Sequence, residues 1–233
     1  MITFSQVFPR DVAAIFTDRS VDFAFQPDGP LFSSEQKDYL NRALGIAFDR
    51  AVNVRQMHGD EVLVVAEPPA RPAQPLAEAD AVVTNVQGLP ITVRTADCLP
   101  VFLYDPKRKC VGLVHAGWRG SEKKITAKTV RKMEEIFGTS PADVVAALGP
   151  AIRADHYQVG RDFLERFPGC VQERADGCYL DLVKVNTRQL VESGVWAESI
   201  HDCRICTCCE RACFSYRREG EKAGRHLSLM MLR

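Results

Sequence analysis

The chain lacks an excess of charge of either sign: 30 lysines and arginines stand against 30 aspartates and glutamates. With no basic surplus there is little to hold a phosphate backbone, so a nucleic-acid partner is not expected. No apolar run approaches the roughly 18 residues of a membrane span, so a membrane partner is not expected either. Residues Met1 to Ser5 lack the basic start and long apolar core of a secretory signal. These absences point to the cytoplasm. Internal repeats and low-complexity tracts are also missing, and histidine is scarce, with five in 233 residues. A centre built from many imidazoles is therefore out of reach.

What is plentiful is apolar material and cysteine. A hydrophobic share of 46% over 233 residues suffices for a real core, and residues 1–233 are expected to form a single domain. The 9 cysteines are odd in number, and five of them crowd between Cys203 and Cys213. In a reducing compartment that favours free thiols or metal ligands over a disulfide framework.

Read in order, the chain is mostly short strands with tight connections. Val12 to Thr17 is a strand, Asp18-Arg19-Ser20 can turn, and the alternation of Val21 to Phe25 suggests the second arm of a hairpin, closed by the turn Gln26-Pro27-Asp28-Gly29-Pro30. Ser33 or Ser34 caps a helix to Leu44, ended by Gly45. Strands follow over Val52 to Gln56 and Glu61 to Val65, then a proline-rich exposed loop from Glu67 to Pro75. Further strands are expected over 79–84, 89–93, 101–104, 110–114 and 144–148, and over Leu227 to Met231, with helices over Ser121 to Phe137, Arg161 to Phe167 and from about Tyr179 to Val191. The expected fold class is α/β (α+β): a layered sandwich with central mixed β layers flanked by helices.

Three stretches carry chemistry. Cys110 to Gly120 is an apolar strand that delivers His115 into a Gly-X-X-Gly turn with Trp118 and Arg119. Arg94 to Pro100 brings Asp97 and Cys98 to the edge of another strand, and Arg55-Gln56-Met57-His58-Gly59 ends a third. If those strands are neighbours, His58, Cys98 and His115 meet at one sheet edge. Two imidazoles and a thiolate suit a zinc ion with its fourth position open. The same residues allow a Cys98 nucleophile with His115 as base and the 117–120 turn as backbone donors. Asp97 is a candidate to orient a histidine or to exchange a proton. The bland alternative is two polar strand-end histidines and a small core cysteine. Spacing alone does not choose. In the cysteine cluster, Cys203, Cys206 and Cys209 make two overlapping Cys-X-X-Cys units, so free thiols and a structural zinc both stay open. Arg217, Arg218 and Arg225 are candidate anion binders.

Gln56-Met57-His58-Gly59, Thr95 to Pro100, His115 to Gly120, Leu148 to Ile152 and Phe214 to Gly220 together resemble one family. It is known as polyphenol oxidase or multicopper-oxidase-like laccase and is now better described as purine nucleoside phosphorylase and adenosine deaminase. The resemblance runs from about residue 50 to the C-terminus, whereas the N-terminal part lacks the family's paired glycines. It implies a single catalytic domain over 1–233, similar to toxin-type cysteine deamidases. It implies zinc on His58, Cys98 and His115, with copper as the alternative. It further implies purine nucleosides and phosphate as partners, phosphorolysis of adenosine, inosine and methylthioadenosine, and deamination of adenosine. Arg55, Arg119 and Arg217 are the clamps expected for substrate or phosphate, and Cys98, Asp97, His115 and Arg119 the expected catalytic set. A copper phenol oxidase, a cysteine hydrolase and a non-enzymatic metal or redox protein are the rivals.

Overall fold

The computed structural model describes residues 1–25, 30–45, 51–69 and 75–233. In chain order the first elements are β1 (Ile2–Thr3), β2 (Val12–Phe16), α1 (Ser34–Leu44), β3 (Val52–Asn53), β4 (Val62–Val65), β5 (Ala81–Thr84) and β6 (Ile91–Thr95). The middle of the chain forms β7 (Leu99–Asp105), β8 (Cys110–Ala116), α2 (Trp118–Glu122), α3 (Ile125–Phe137) and β9 (Val145–Leu148). Next come β10 (Gln158–Val159), α4 (Phe163–Arg166), β11 (Val171–Arg174), β12 (Gly177–Leu180) and α5 (Leu182–Glu192). The chain closes with β13 (Ile200–Asp202), α6 (Tyr216–Glu219) and β14 (His226–Leu232).

Two mixed sheets lie face to face. One has the order β1-β2-β14-β6-β3 and the other β13-β9-β7-β8-β5-β4. The strict alternation of a pleated strand assigns each side chain to a layer. Phe102, Tyr104, Val111, Leu113 and Met230 fill the space between the sheets, with Phe4 against Phe102 at 4.6 Å. Val101, Leu103 and Val114 point the other way, onto α3, α5 and the small sheet β10-β12-β11. Leu227, Leu229 and Met231 pack outward against Phe23, Phe32 and Leu40 of α1. The order is therefore helix, sheet, sheet, helices. Because both faces of each large sheet are covered, β7, β8 and β14 are buried along their whole length and are mostly apolar without a regular polar alternation.

The α1 expectation holds in detail. Ser33 and Gln36 form a reciprocal capping box, and Gly45 ends the helix at φ 64°. Four readings change. Val21 to Phe25 forms no hairpin arm. β2 instead pairs with β1 and β14, and Phe23 makes one backbone bond to Arg225 and packs beside Phe32 and Tyr39. The strand from Val52 stops at Asn53, because the Gln56 side chain then stands in for a strand neighbour. It accepts from Arg94 N and donates to Arg94 O, both at 2.7 Å.

The helix expected from Ser121 to Phe137 is two helices. It begins earlier, at Trp118, and breaks where Lys124 takes φ 63° and Gln189 of α5 donates to the Ser121 carbonyl at 2.7 Å. Residues Gly177–Leu180 are strand β12 between β10 and β11, and α5 starts only after Asp181, whose carboxylate caps Lys184 N at 2.9 Å. The turn at 26–29 and the stretch 70–74 of the proline-rich loop lie outside the described residues. No described helix is long and apolar enough to cross a membrane.

Candidate active site

The site gathers at one end of the central strands of the six-stranded sheet because of its strand order. β7 and β8 pair antiparallel with Leu99 opposite Ala116, so Cys98 before β7 faces Gly117 after β8. β5 lies on the other side of β8 with Ala81 opposite Val114, which sets Asp80 beside His115. Ligand atoms of His58, Cys98 and His115 all lie within 4.8 Å of one another, and the two imidazoles meet edge to face at 4.8 Å. A Cβ on Gly117 would sit 3.0 Å from Cys98 Sγ and 3.3 Å from His58 Cδ2. One on Gly120 would sit 2.6 Å from the Gly59 carbonyl. The two glycines of the His115 turn are therefore what lets α2 close over the site.

Asp80 builds this corner, and sequence reasoning missed it. Its carboxylate contacts His115 Nδ1 at 2.7 Å and accepts from the backbone N–H groups of Met57, His58 and Gly59 at 2.7–3.0 Å. Those three bonds hold His58 at φ 56°, a left-handed conformation that costs a non-glycine residue about 1 kcal/mol or more. The carbonyl of Asp80 also accepts from His115 N at 2.7 Å. The only hint in the sequence was an acidic residue near the start of the otherwise apolar strand expected over 79–84. Asp97, expected to orient a histidine, does something else. It accepts from Thr207 Oγ1 at 2.6 Å, Ser215 Oγ at 3.0 Å and Arg217 N at 2.6 Å, and itself sits at φ 85°. With its oxygens so occupied, Asp97 fixes the 207–217 turn, and Asp80 is the histidine's carboxylate.

The charges are mutually supporting. Burial pushes the Cys98 thiol up, but His115 and then His58 more than reverse this and bring it below its ordinary value. Burial works against a proton on His115, yet the Cys98 thiolate and Asp80 raise its affinity above the usual imidazole range. Burial also opposes ionisation of Asp80, and the His115 bond overcomes it. A thiolate between two imidazoles, one held by a carboxylate, is a donor set that fits a zinc-class ion.

These residues lie in a cavity of about 890 Å³, inside the roughly 300–1,000 Å³ range of small-molecule sites. Arg55, Arg94, Arg119, Arg217 and Arg225 all line it, against Asp97 as the lining carboxylate. Arg55 sits at the rim, 61% exposed and paired with Glu78 at 3.3 Å. Arg119 lies over the Trp118 ring at 4.4 Å. Arg217 lies over the Tyr157 ring and donates to the carbonyls of His156 and Gln158. Arg94, not singled out from the sequence, is 8% exposed and faces no described carboxylate, and burial lowers its pKa to about 10. Arg218 points away, donating to the carbonyls of Thr207 and Cys208 and pairing with Glu219, so it braces the cysteine turn.

Residues 23–233 match the family described as multi-copper polyphenol oxidoreductase laccase. The chain belongs to this family. It is an enzyme, and the curated relatives named next carry other names than laccase. A Corynebacterium glutamicum protein named purine nucleoside phosphorylase is 33% identical, covering 96% of this chain and 95% of its own. A protein named adenosine deaminase RL5, from an unknown prokaryotic organism, is 35% identical over 80% of this chain and 76% of its own. Among solved structures, the Bacillus licheniformis hypothetical protein YfiH superposes with a TM-score of 0.85 at 29% identity, covering 96% of this chain and 94% of that one.

Proposed function

We propose that residues 1–233 form one catalytic domain, a zinc-dependent purine nucleoside phosphorylase that also deaminates adenosine. The observation that carries the reading is the convergence of His58, Cys98 and His115 in a cavity lined by arginines. Relatives named for both activities support it. The proposed nucleoside substrates are adenosine, inosine and methylthioadenosine, and the cytoplasm is the proposed location.

His58, Cys98 and His115 would hold the ion. A bound zinc would act as a Lewis acid and lower the pKa of water enough to supply a nucleophile for deamination at neutral pH. In phosphorolysis a phosphate oxygen bonds to the sugar C1′ as the C–N bond to the base breaks, and the base leaves with a proton. Arg119 and Arg217 neutralise the phosphate, with Arg55 at the rim. Tyr157 gives the pocket a neutral aromatic wall, since burial and the nearby Cys98 charge hold its hydroxyl well above its ordinary pKa. Asp80 keeps His115 in the tautomer that offers Nε2 to the cavity.

Multicopper oxidation has too few imidazoles here. His226 is buried and bonded to Thr17 and Phe214, His201 is exposed on β13, and His156 belongs to a separate cluster. A cysteine-hydrolase reading draws support from the Cys98–His115–Asp80 alignment, which has the order nucleophile, base, orienter. The experiment is chromatographic. Zinc-loaded protein is given adenosine with and without phosphate. Adenine that forms only with phosphate, inosine that forms in either case, and loss of both in Cys98→Ala are expected. Activity that survives chelation but not thiol alkylation would move the assignment to the hydrolase. No product from protein with confirmed metal would overturn the nucleoside reading.

A further inference from the structure

The cysteine cluster is not used by the chemistry above, and its members separate in space. Cys213 is buried between the sheets, Cys203 packs beside them near Arg153, and Cys208 lines a small surface pocket with Arg19 and Arg218 that Cys209 also borders. Cys206 and Cys209 converge instead on His156, which lies some fifty residues earlier in the chain. Cys206 Sγ is 3.8 Å from His156 Nδ1, and Cys209 Sγ is 3.5 Å from the same nitrogen. A tetrahedral ion with bonds of about 2.1 Å to nitrogen and about 2.3 Å to sulfur separates its ligands by roughly 3.5–3.8 Å. The two nitrogen–sulfur distances match such an edge, and all three ligand atoms lie within 4.8 Å of one another.

The convergence is built by the backbone. Ala151 and Cys206 form a parallel bridge, with Ala151 N donating to Ile205 O and Thr207 N donating to Ala151 O. His156 is held by a bond from its N–H to the Arg153 carbonyl. Two segments distant in sequence thus present three soft donors to one point without any ion having to gather them.

We propose that His156, Cys206 and Cys209 form a second metal site, for a thiophilic zinc-class ion, distinct from the cavity site and independent of the nucleoside reading. Binding Zn²⁺ there displaces the two thiol protons to solvent and takes the neutral imidazole as third ligand, leaving the fourth corner to water. The ion staples the 153–158 segment to the 206–209 turn. Both ends of that staple touch the active cavity: the His156 carbonyl accepts from Arg217 at 3.2 Å, and Thr207, between the two cysteines, bonds Asp97. The site therefore steadies the wall that carries Arg217.

The test counts metal and thiolates. Protein is loaded with Zn²⁺, freed of excess by gel filtration and analysed for metal per chain. Two ions per chain are expected, with one retained in His156→Ala, one in the Cys206→Ser/Cys209→Ser variant and one in Cys98→Ser. His156 is exposed, so its replacement leaves the core intact. With Co²⁺, the near-ultraviolet thiolate band is expected to fall by about two thirds in the double serine variant and about one third in Cys98→Ser, because the two sites hold two thiolates and one. A single ion per chain that Cys98→Ser abolishes and His156→Ala leaves unchanged would overturn the proposal. So would a Cys206–Cys209 disulfide in protein purified without oxygen, since the pair would then be serving redox chemistry.

Discussion

Asp80 holds the cavity corner by accepting three backbone N–H groups and one imidazole N–H, so a single carboxylate positions both histidines. Asp80→Asn keeps the volume but replaces one acceptor oxygen with a donor. Metal affinity at the cavity site is expected to fall about 10–100-fold, measured by competition with a chelator. An unchanged affinity would mean that Asp80 only braces the 57–59 turn. Gly117→Ala tests the other side of the site. A methyl 3.0 Å from Cys98 Sγ and 3.3 Å from His58 Cδ2 has nowhere to go without moving a ligand. It is expected to weaken metal binding while leaving the Tm of the metal-free protein close to that of the wild type, and a lowered Tm with unchanged metal affinity would show that the strain is absorbed away from the ligands.

Among the elements, β14 is the centre of its sheet, flanked by β2 and β6, and it carries a histidine at its start. His226 is fully buried and neutral. Nδ1–H donates to Thr17 O, while Nε2 accepts from Phe214 N, so a second proton would face an N–H group. Burial lowers its pKa to about 4, from an ordinary 6.5. The unfolded chain takes up that proton first as the pH falls. The stability from a neutral His226 is therefore whole above about pH 6.5 and lost progressively toward pH 4, by about 2 kcal/mol between pH 7 and pH 5. Urea unfolding of the wild type should show that slope, and His226→Gln should lack it. The 207–217 turn has a comparable dependence on Asp97. Asp97→Ala strands the hydroxyls of Thr207 and Ser215 and the N–H of Arg217, at a cost on the order of 3 kcal/mol.

At the scale of the whole molecule, the metal is expected to contribute to stability as any ligand of the native state does. With free zinc about a hundredfold above its dissociation constant, linkage gives about 2.7 kcal/mol, or a rise in Tm of roughly 5–10 °C for a chain of this size. Calorimetry on chelator-treated and zinc-restored protein checks this, and identical curves would mean that neither site holds zinc in the folded state.

How much of this was legible in the sequence depended on the range of the interaction. The capping of α1 by Ser33, its end at Gly45, the apolar runs of β7, β8 and β14 and the strand-end placement of Cys98 and His115 follow from local periodicity, turn residues and caps, whereas His58, also expected at a strand end, lies in the bend after β3 has stopped at Asn53. The order β13-β9-β7-β8-β5-β4 does not, because strand neighbours are chosen by the packing of whole faces. That order alone sets Asp80 beside His115, and the Gln189–Ser121 contact between α5 and α2 alone divides the helix after Gly120. The exchange of roles between Asp97 and Asp80, the burial of Arg94 and the meeting of His156 with Cys206 and Cys209 belong to the same class. Sequence determined which side chains stand at the ends of strands. Tertiary structure decided which of them meet, because a contact between distant segments exists only after both sheets have packed.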